Sequence, residues 1–274
     1  MYQACSVPAC AILLLTLLTA AGTVRAETSG GDIGGNGERY FVLPTEIETD
    51  RGAANGDATL LRLMPAYNWK INPDWQIVNL DLVLLADAPG GVPGWPGNPE
   101  PIPGDRTTGL SDWIHASFFN QLKEGGLVVG AGFITGFPTA TDPALGSGKW
   151  TLGPALRAVW RSDTWTIGGF GGQRWSFAGK SNRADISQLM IRATIRRRLP
   201  GKWYFVSAPL ITANWNAESG NRWLVPLGGG FGRAFRIGRT DWAPSLQFYS
   251  NVIRPDGAPD WSVRLSLIAA IPLP

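Results

Sequence analysis

The segment DWSVRLSLIAAI, residues 260–271, alternates. Trp261, Val263, Leu265, Leu267, Ala269 and Ile271 are apolar; Ser262, Arg264 and Ser266 stand between them, with Ile268 the exception. A period of two is the side-chain period of a β-strand whose faces meet unlike surroundings. The pattern recurs along the chain. Over 186–198, Leu189, Ile191, Ala193 and Ile195 oppose Gln188, Arg192, Thr194 and Arg196. Over 150–161, Trp150, Leu152, Leu156, Ala158 and Trp160 oppose Thr151, Gly153, Arg157 and Arg161. Over 59–70, Leu61, Leu63, Tyr67 and Trp69 oppose Arg62, Asn68 and Lys70.

Connections rich in Gly, Pro, Asn and Asp separate these segments, which is turn chemistry. Short ones (71–74, 122–126, 162–164, 200–202, 237–240) alternate with longer ones (50–57, 87–106, 138–148, 178–185, 216–220, 254–260). Twelve candidate strands result, from about 38–48 to 261–271, the first and that at 107–120 being the weakest patterns. Strict alternation of short and long connections suits an even-stranded up-and-down barrel with both termini at the short-turn side. In bacterial outer-membrane barrels the short turns are periplasmic and the long loops extracellular.

The tryptophans carry the membrane reading. Trp69, Trp75, Trp160, Trp165, Trp203 and Trp242 flank short turns; Trp113, Trp150, Trp175, Trp215, Trp223 and Trp261 stand near long loops. A soluble barrel would favour large aromatics mid-strand. Rings at both strand ends match the aromatic girdles of a membrane-spanning barrel. In lipid the backbone groups need partners within the protein, so the sheet must close.

Residues 1–26 read as an export signal: the apolar run 11–24 is shorter than the roughly 20 residues of a spanning helix, and Val24-Arg25-Ala26 fits a small-x-small cleavage site. Residues 27–37 read as a flexible segment and 38–274 as the barrel. Both cysteines, Cys5 and Cys10, precede the apolar run, so disulfides do not hold the remainder. With 24 basic and 21 acidic residues and a single histidine, neither nucleic-acid binding nor a metal site is indicated, and no cofactor is expected. The stretch LGSGKWTLG (145–153) places Gly148 and Lys149 as a phosphate loop would. Pro143 and Trp150 occupy two anchor positions, however, and no helix follows. It reads as the end of an outer loop, with Lys149 at headgroup depth. The glycines of GGGFGR (228–233) sit in a strand pattern and ease close packing.

Several runs resemble a family of bacterial outer-membrane proteins commonly labelled "neuromedin U", related to a family named after a phenol-degradation pathway. They are TGLSD (108–112), FPTATDPALGSGKWTLGPA (137–155), RWSFAG (174–179), PLITANWNAESGNRWLVPLGGGFGRAFRIG (209–238) and NVIRPDGAPDW (251–261). The resemblance implies an outer-membrane barrel that passes small molecules, and no catalytic residues. The final IPLP departs from the aromatic ending of many such barrels.

Alternation places Arg62, Asp81, Arg157, Arg174, Arg192 and Arg264 in the lumen, with Asn79, Gln188, Thr212, Asn214, Gln247 and Asn251, and Glu46 and Glu48 if the first strand forms. Two readings follow. The arginines attract anions into a pore, or they pair with Asp81, Glu46, Glu48 and carbonyls and fill the barrel. Small barrels are filled by their own side chains, and water channels are typical at about 16 strands; twelve lies between. Arg196, Arg197 and Arg198 end a strand at the periplasmic rim. His115 and Ser117 share one strand face, a spacing that outer-membrane lipid hydrolases use, but no orienting acid is near in sequence and Asn120 has the other parity. The expected function is a non-enzymatic channel for small solutes, anionic or aromatic, with the 87–106 loop gating; a lipid hydrolase or a non-conducting barrel is the alternative. Expected partners are outer-membrane lipids and the barrel-assembly machinery.

Overall fold

The computed structural model describes residues 40–54, 56–90, 95 and 105–273. The expectations for 1–26 and 27–37 lie outside the described residues. Sixteen strand pieces form one antiparallel sheet. They are β1 (Tyr40–Arg51), β2 (Ala58–Leu63), β3 (Ala66–Lys70), β4 (Trp75–Pro89), β5 (Arg106–Leu110), β6 (Trp113–Leu122), β7 (Leu127–Phe137) and β8 (Lys149–Arg161). Then come β9 (Trp165–Gly179), β10 (Ser187–Arg198), β11 (Trp203–Ser207), β12 (Leu210–Asn214), β13 (Trp223–Arg233), β14 (Phe235–Ile237), β15 (Thr240–Ile253) and β16 (Trp261–Pro272). Pairing of β1 with β16 from Tyr40↔Pro272 to Arg51↔Trp261 closes the sheet.

The pieces make twelve staves, because β2–β3, β5–β6, β11–β12 and β13–β14 are each one strand interrupted. Two interruptions fall at prolines, Pro65 and Pro209, which have no N–H for the ladder. The freed groups find partners. The Met64 amide donates to the Pro44 carbonyl at 2.9 Å, and the Asp81 amide to the Pro65 carbonyl at 3.0 Å. The Ala208 amide donates to the Tyr249 hydroxyl at 2.8 Å.

Side-chain environment follows the strand period. On β8 even-numbered residues are exposed and odd-numbered ones largely buried, Leu156 at 68% exposure beside Arg157 at 5%. Leu152, Leu227, Phe231, Leu246 and Phe248 are likewise exposed. An apolar outer belt with polar residues inside is the inverse of a soluble barrel and suits lipid contact. The sequence-named tryptophans occupy the strand ends. Trp69, Trp150, Trp160, Trp175, Trp203, Trp215 and Trp261 are exposed; Trp75, Trp165, Trp223 and Trp242 are half-buried. Outside, Trp75 stacks on Phe119 and Trp113 on Phe137, each at 4.5 Å between ring centres. On β13, a Cβ at Gly230 would lie 1.8 Å from the Leu246 carbonyl, so neighbouring backbones approach as only glycine permits.

Candidate functional site: the lumen

One wall of the lumen is apolar. On β4, Leu80, Leu82 and Leu84 face inward, and on β6 so do Ile114, Ala116 and Phe118. Ile134 of β7, Ala155 of β8, Phe170 of β9 and Met190 of β10 pack against them. Together with Arg157, Arg192 and Arg196, this wall borders a cavity of about 180 Å³.

The facing wall is charged. Inward positions of β1 supply Glu46 and Glu48, beside Arg62 of β2 and Arg264 of β16. Arg62 Nη1 and Arg264 Nε each stand 2.5 Å from Glu48 Oε2. Glu46 lies 3.9 Å from Arg62 and 3.5 Å from Arg264. Arg192, on β10 across the barrel, pairs with Glu46 through both terminal guanidinium nitrogens, Nη2 and Nη1, the latter at 3.4 Å. β1 and β10 are not neighbours in the sheet, so this pair is a strut through the lumen. A second link runs from Arg264 Nη1 to the Ala208 carbonyl at 2.8 Å, the acceptor released by the break before Pro209. The same guanidinium lies 4.6 Å from the centre of the Tyr249 ring. The buried charges are thus paired and hydrogen-bonded, as burial requires.

Towards the long-loop end, Trp95 is 3% exposed against Leu60, Leu84, Ala86, Ala88 and Leu145. Its carbonyl accepts from Gln188 Nε2 at 3.1 Å. Gln188 Oε1 in turn accepts from Arg174 Nε at 3.1 Å, and Arg174 Nη1 reaches Thr151 Oγ1 at 3.2 Å. Trp95 therefore lines a second, smaller pocket with Glu48, Arg62 and Arg264 on the side of the 87–106 loop, whose other central residues lie outside the described set. At the opposite end Asn68 Nδ2 donates to Gln76 Oε1 at 3.0 Å, and Arg196 lies 3.7 Å from the Tyr204 ring centre.

Arg62, Arg157, Arg174, Arg192 and Arg264 point inward, as alternation places them. Asp81 and Asn79 do not. Asp81 is opposite His115 in register and Asn79 opposite Ser117, and opposed residues share a face. Asp81 borders the cavity, but its carboxylate is on the outer side. There Oδ1 accepts from the exposed Trp113 indole at 2.9 Å and lies 2.8 Å from His115 Nδ1. The reason is the mixed alternation of β4 and β6: at mid-strand Leu80, Leu82, Ile114 and Ala116 line the lumen, while Asn79, Asp81, His115 and Ser117 face out. The acid next to His115, absent from its sequence neighbourhood, comes from the adjacent strand. Trp95 and the apolar wall went unassigned in the sequence reading; the usable signal was that both parities of 75–86 carry leucine or valine.

The arrangement defines a closed antiparallel barrel of the outer-membrane kind with a narrow, partly filled lumen. No family model matches the chain, and no curated protein matches it. Among solved structures, it is similar to an outer-membrane channel from Pseudomonas putida F1. That protein is 13% identical, with 91% of this chain and 100% of that one covered and a TM-score of 0.56. The β-domain of the Bordetella autotransporter BrkA is 15% identical over 86% of this chain and 100% of its own, with a TM-score of 0.45. The monoaromatic hydrocarbon channel CymD is 11% identical over 86% of this chain and 88% of its own, with a TM-score of 0.46. The first likeness concerns the barrel fold alone, and the other two superpose too loosely to add to it.

Proposed function

We propose that the protein is an outer-membrane channel for small, largely apolar molecules of about one aromatic ring. The observation that carries this reading is the cavity of about 180 Å³ with its apolar wall. A cavity of about 150 Å³ lined by aliphatic and aromatic side chains is known to hold benzene, so a single ring fits. The named inward arginines outnumber Glu46, Glu48 and Asp50, so a solute with an anionic group is favoured over a cationic one. The Pseudomonas putida neighbour, described as an outer-membrane channel, agrees with this reading. In it both termini lie in the periplasm, the long loops lie outside, and Trp95 restricts entry.

Planar-bilayer conductance with a salt gradient tests the reading, combined with uptake of toluene and benzoate into proteoliposomes. Uptake of either solute above empty liposomes, with small anion-preferring currents, is the expected result. Cation preference, or no uptake of either, contradicts it.

A further inference from the structure

Four polar side chains share the outer, lipid-side face of β4 and β6. Asp81 opposes His115, and Asn79 opposes Ser117 one step further along. Around them the same face carries Trp113 and Phe119, and β7 adds Phe133, all exposed. At mid-strand on this wall leucine, isoleucine and alanine point inward and these four polar groups outward. Groups capable of hydrogen bonding are costly against hydrocarbon, several kcal/mol each when unpaired. Their grouping two residues inside Trp113 calls for a use.

The acid–base half of a hydrolytic triad is in place, and Ser117 follows it on the same strand face. Asp81 Oδ1 stands 2.8 Å from His115 Nδ1 and is itself fixed by the Trp113 indole at 2.9 Å. A carboxylate on Nδ1 places the proton there and leaves Nε2 as the base. Ser117 lies two residues on along the same face, about 6.6 Å of strand, and strand side chains lean along the strand direction. Directly opposed residues have Cβ atoms roughly 4.5–5.5 Å apart, which puts Asn79 within side-chain reach of Ser117.

We propose that this face is a serine-hydrolase centre for the acyl esters of membrane lipids, independent of the channel reading. Ser117 Oγ attacks the ester carbonyl carbon while His115 Nε2 takes its proton. Asn79 Nδ2 donates to the resulting oxyanion. The tetrahedral intermediate collapses by breaking the bond to the alcohol oxygen, which leaves with the proton from His115. Water then attacks the acyl-serine, giving its proton to His115, and Ser117 departs and recovers that proton. One ester and one water become one fatty acid and one alcohol. Asp81 is a positioning residue that acts through His115.

The test uses the full-length protein in mixed micelles of detergent and dipalmitoyl phosphatidylcholine, with a fluorophosphonate probe as the covalent readout. Expected are fatty-acid release and a probe adduct on Ser117. Release falls at least ~10³-fold in Ser117→Ala or His115→Ala, whose folding is checked by heat-modifiable gel mobility. Asp81→Asn lowers the rate on the order of 10⁴-fold through the wrong tautomer. The loss falls on kcat with KM unchanged, because Asp81 acts through His115. Wild-type release no faster than that of folded Ser117→Ala, with no adduct on Ser117, overturns the proposal. An Asp81→Asn variant with the wild-type kcat and KM overturns the role given to that carboxylate.

Discussion

Replacing Glu46 by glutamine removes one charge and almost no volume. Glu46 is 2% exposed and holds Arg192 across the lumen, with Arg62 and Arg264 within 4 Å. Unit charges 4 Å apart interact by ~4 kcal/mol at an effective dielectric constant of about 20. Removing one partner of a buried pair typically costs ~3–5 kcal/mol, since the other charge stays buried. For a chain of this size that corresponds to a fall in melting temperature of roughly 6–20 °C. The strut between β1 and β10 goes with the charge, so bilayer conductance and anion preference both rise. The double variant Glu46→Leu/Arg192→Met separates the two effects. Replacing a whole buried pair with apolar side chains is often neutral or stabilising, so its melting temperature returns towards wild type while its conductance stays high. Calorimetry in detergent and single-channel recording read the two quantities. A Glu46→Gln protein that melts and conducts as wild type does, or a double variant no more stable than the single one, refutes the reasoning.

Trp95→Ala takes an indole from the lumen mouth; proteoliposome uptake of toluene rises, and the protein loses ~3–5 kcal/mol of stability measured by urea unfolding. Tyr249→Phe strands the Ala208 amide and the Gln247 carboxamide, which the hydroxyl meets at 2.8 and 2.6 Å; a loss of about 1–3 kcal/mol is expected in the same assay. In the 180–186 loop, the hydrogen bond from Lys149, then that from Ser176, holds the Asp185 carboxyl below its ordinary value of 3.8. A lowered folded value stabilises fully above 3.8 and is lost as pH falls through the lower value. Hydrogen exchange of this loop, corrected for intrinsic rate, therefore stays level from neutral pH to about 4.5 and quickens at lower pH; Asp185→Asn removes that dependence.

Much of the barrel was legible in the sequence because lipid and lumen impose opposite chemistry on neighbouring residues. β8, β10 and β16 show it directly: Arg157, Arg192 and Arg264 point in, and Leu156, Ile195 and Val263 point out. The turn chemistry located the connections among the described residues, and closure followed from backbone hydrogen bonding. The rule failed on β4 and β6, where Leu80, Leu82, Ile114 and Ala116 line an apolar lumen wall and Asp81 and His115 face out. Alternation reports that two faces differ, and it leaves open which is the lumen when both carry apolar residues. Strand interruptions at Pro65 and Pro209 were visible only as prolines inside a pattern. The fold of Trp95 onto Leu60 and Leu84, and the reach of Arg192 to Glu46, join residues far apart in the chain, and no local period encodes such contacts.

The most direct test of the channel account is the rate at which proteoliposomes take up toluene and benzoate, measured beside arabinose and lysine. The account predicts that the two ring compounds enter faster than the sugar and the cationic amino acid, and faster still with Trp95→Ala. Equal entry of all four solutes, or entry led by lysine, would contradict an apolar, arginine-bearing lumen.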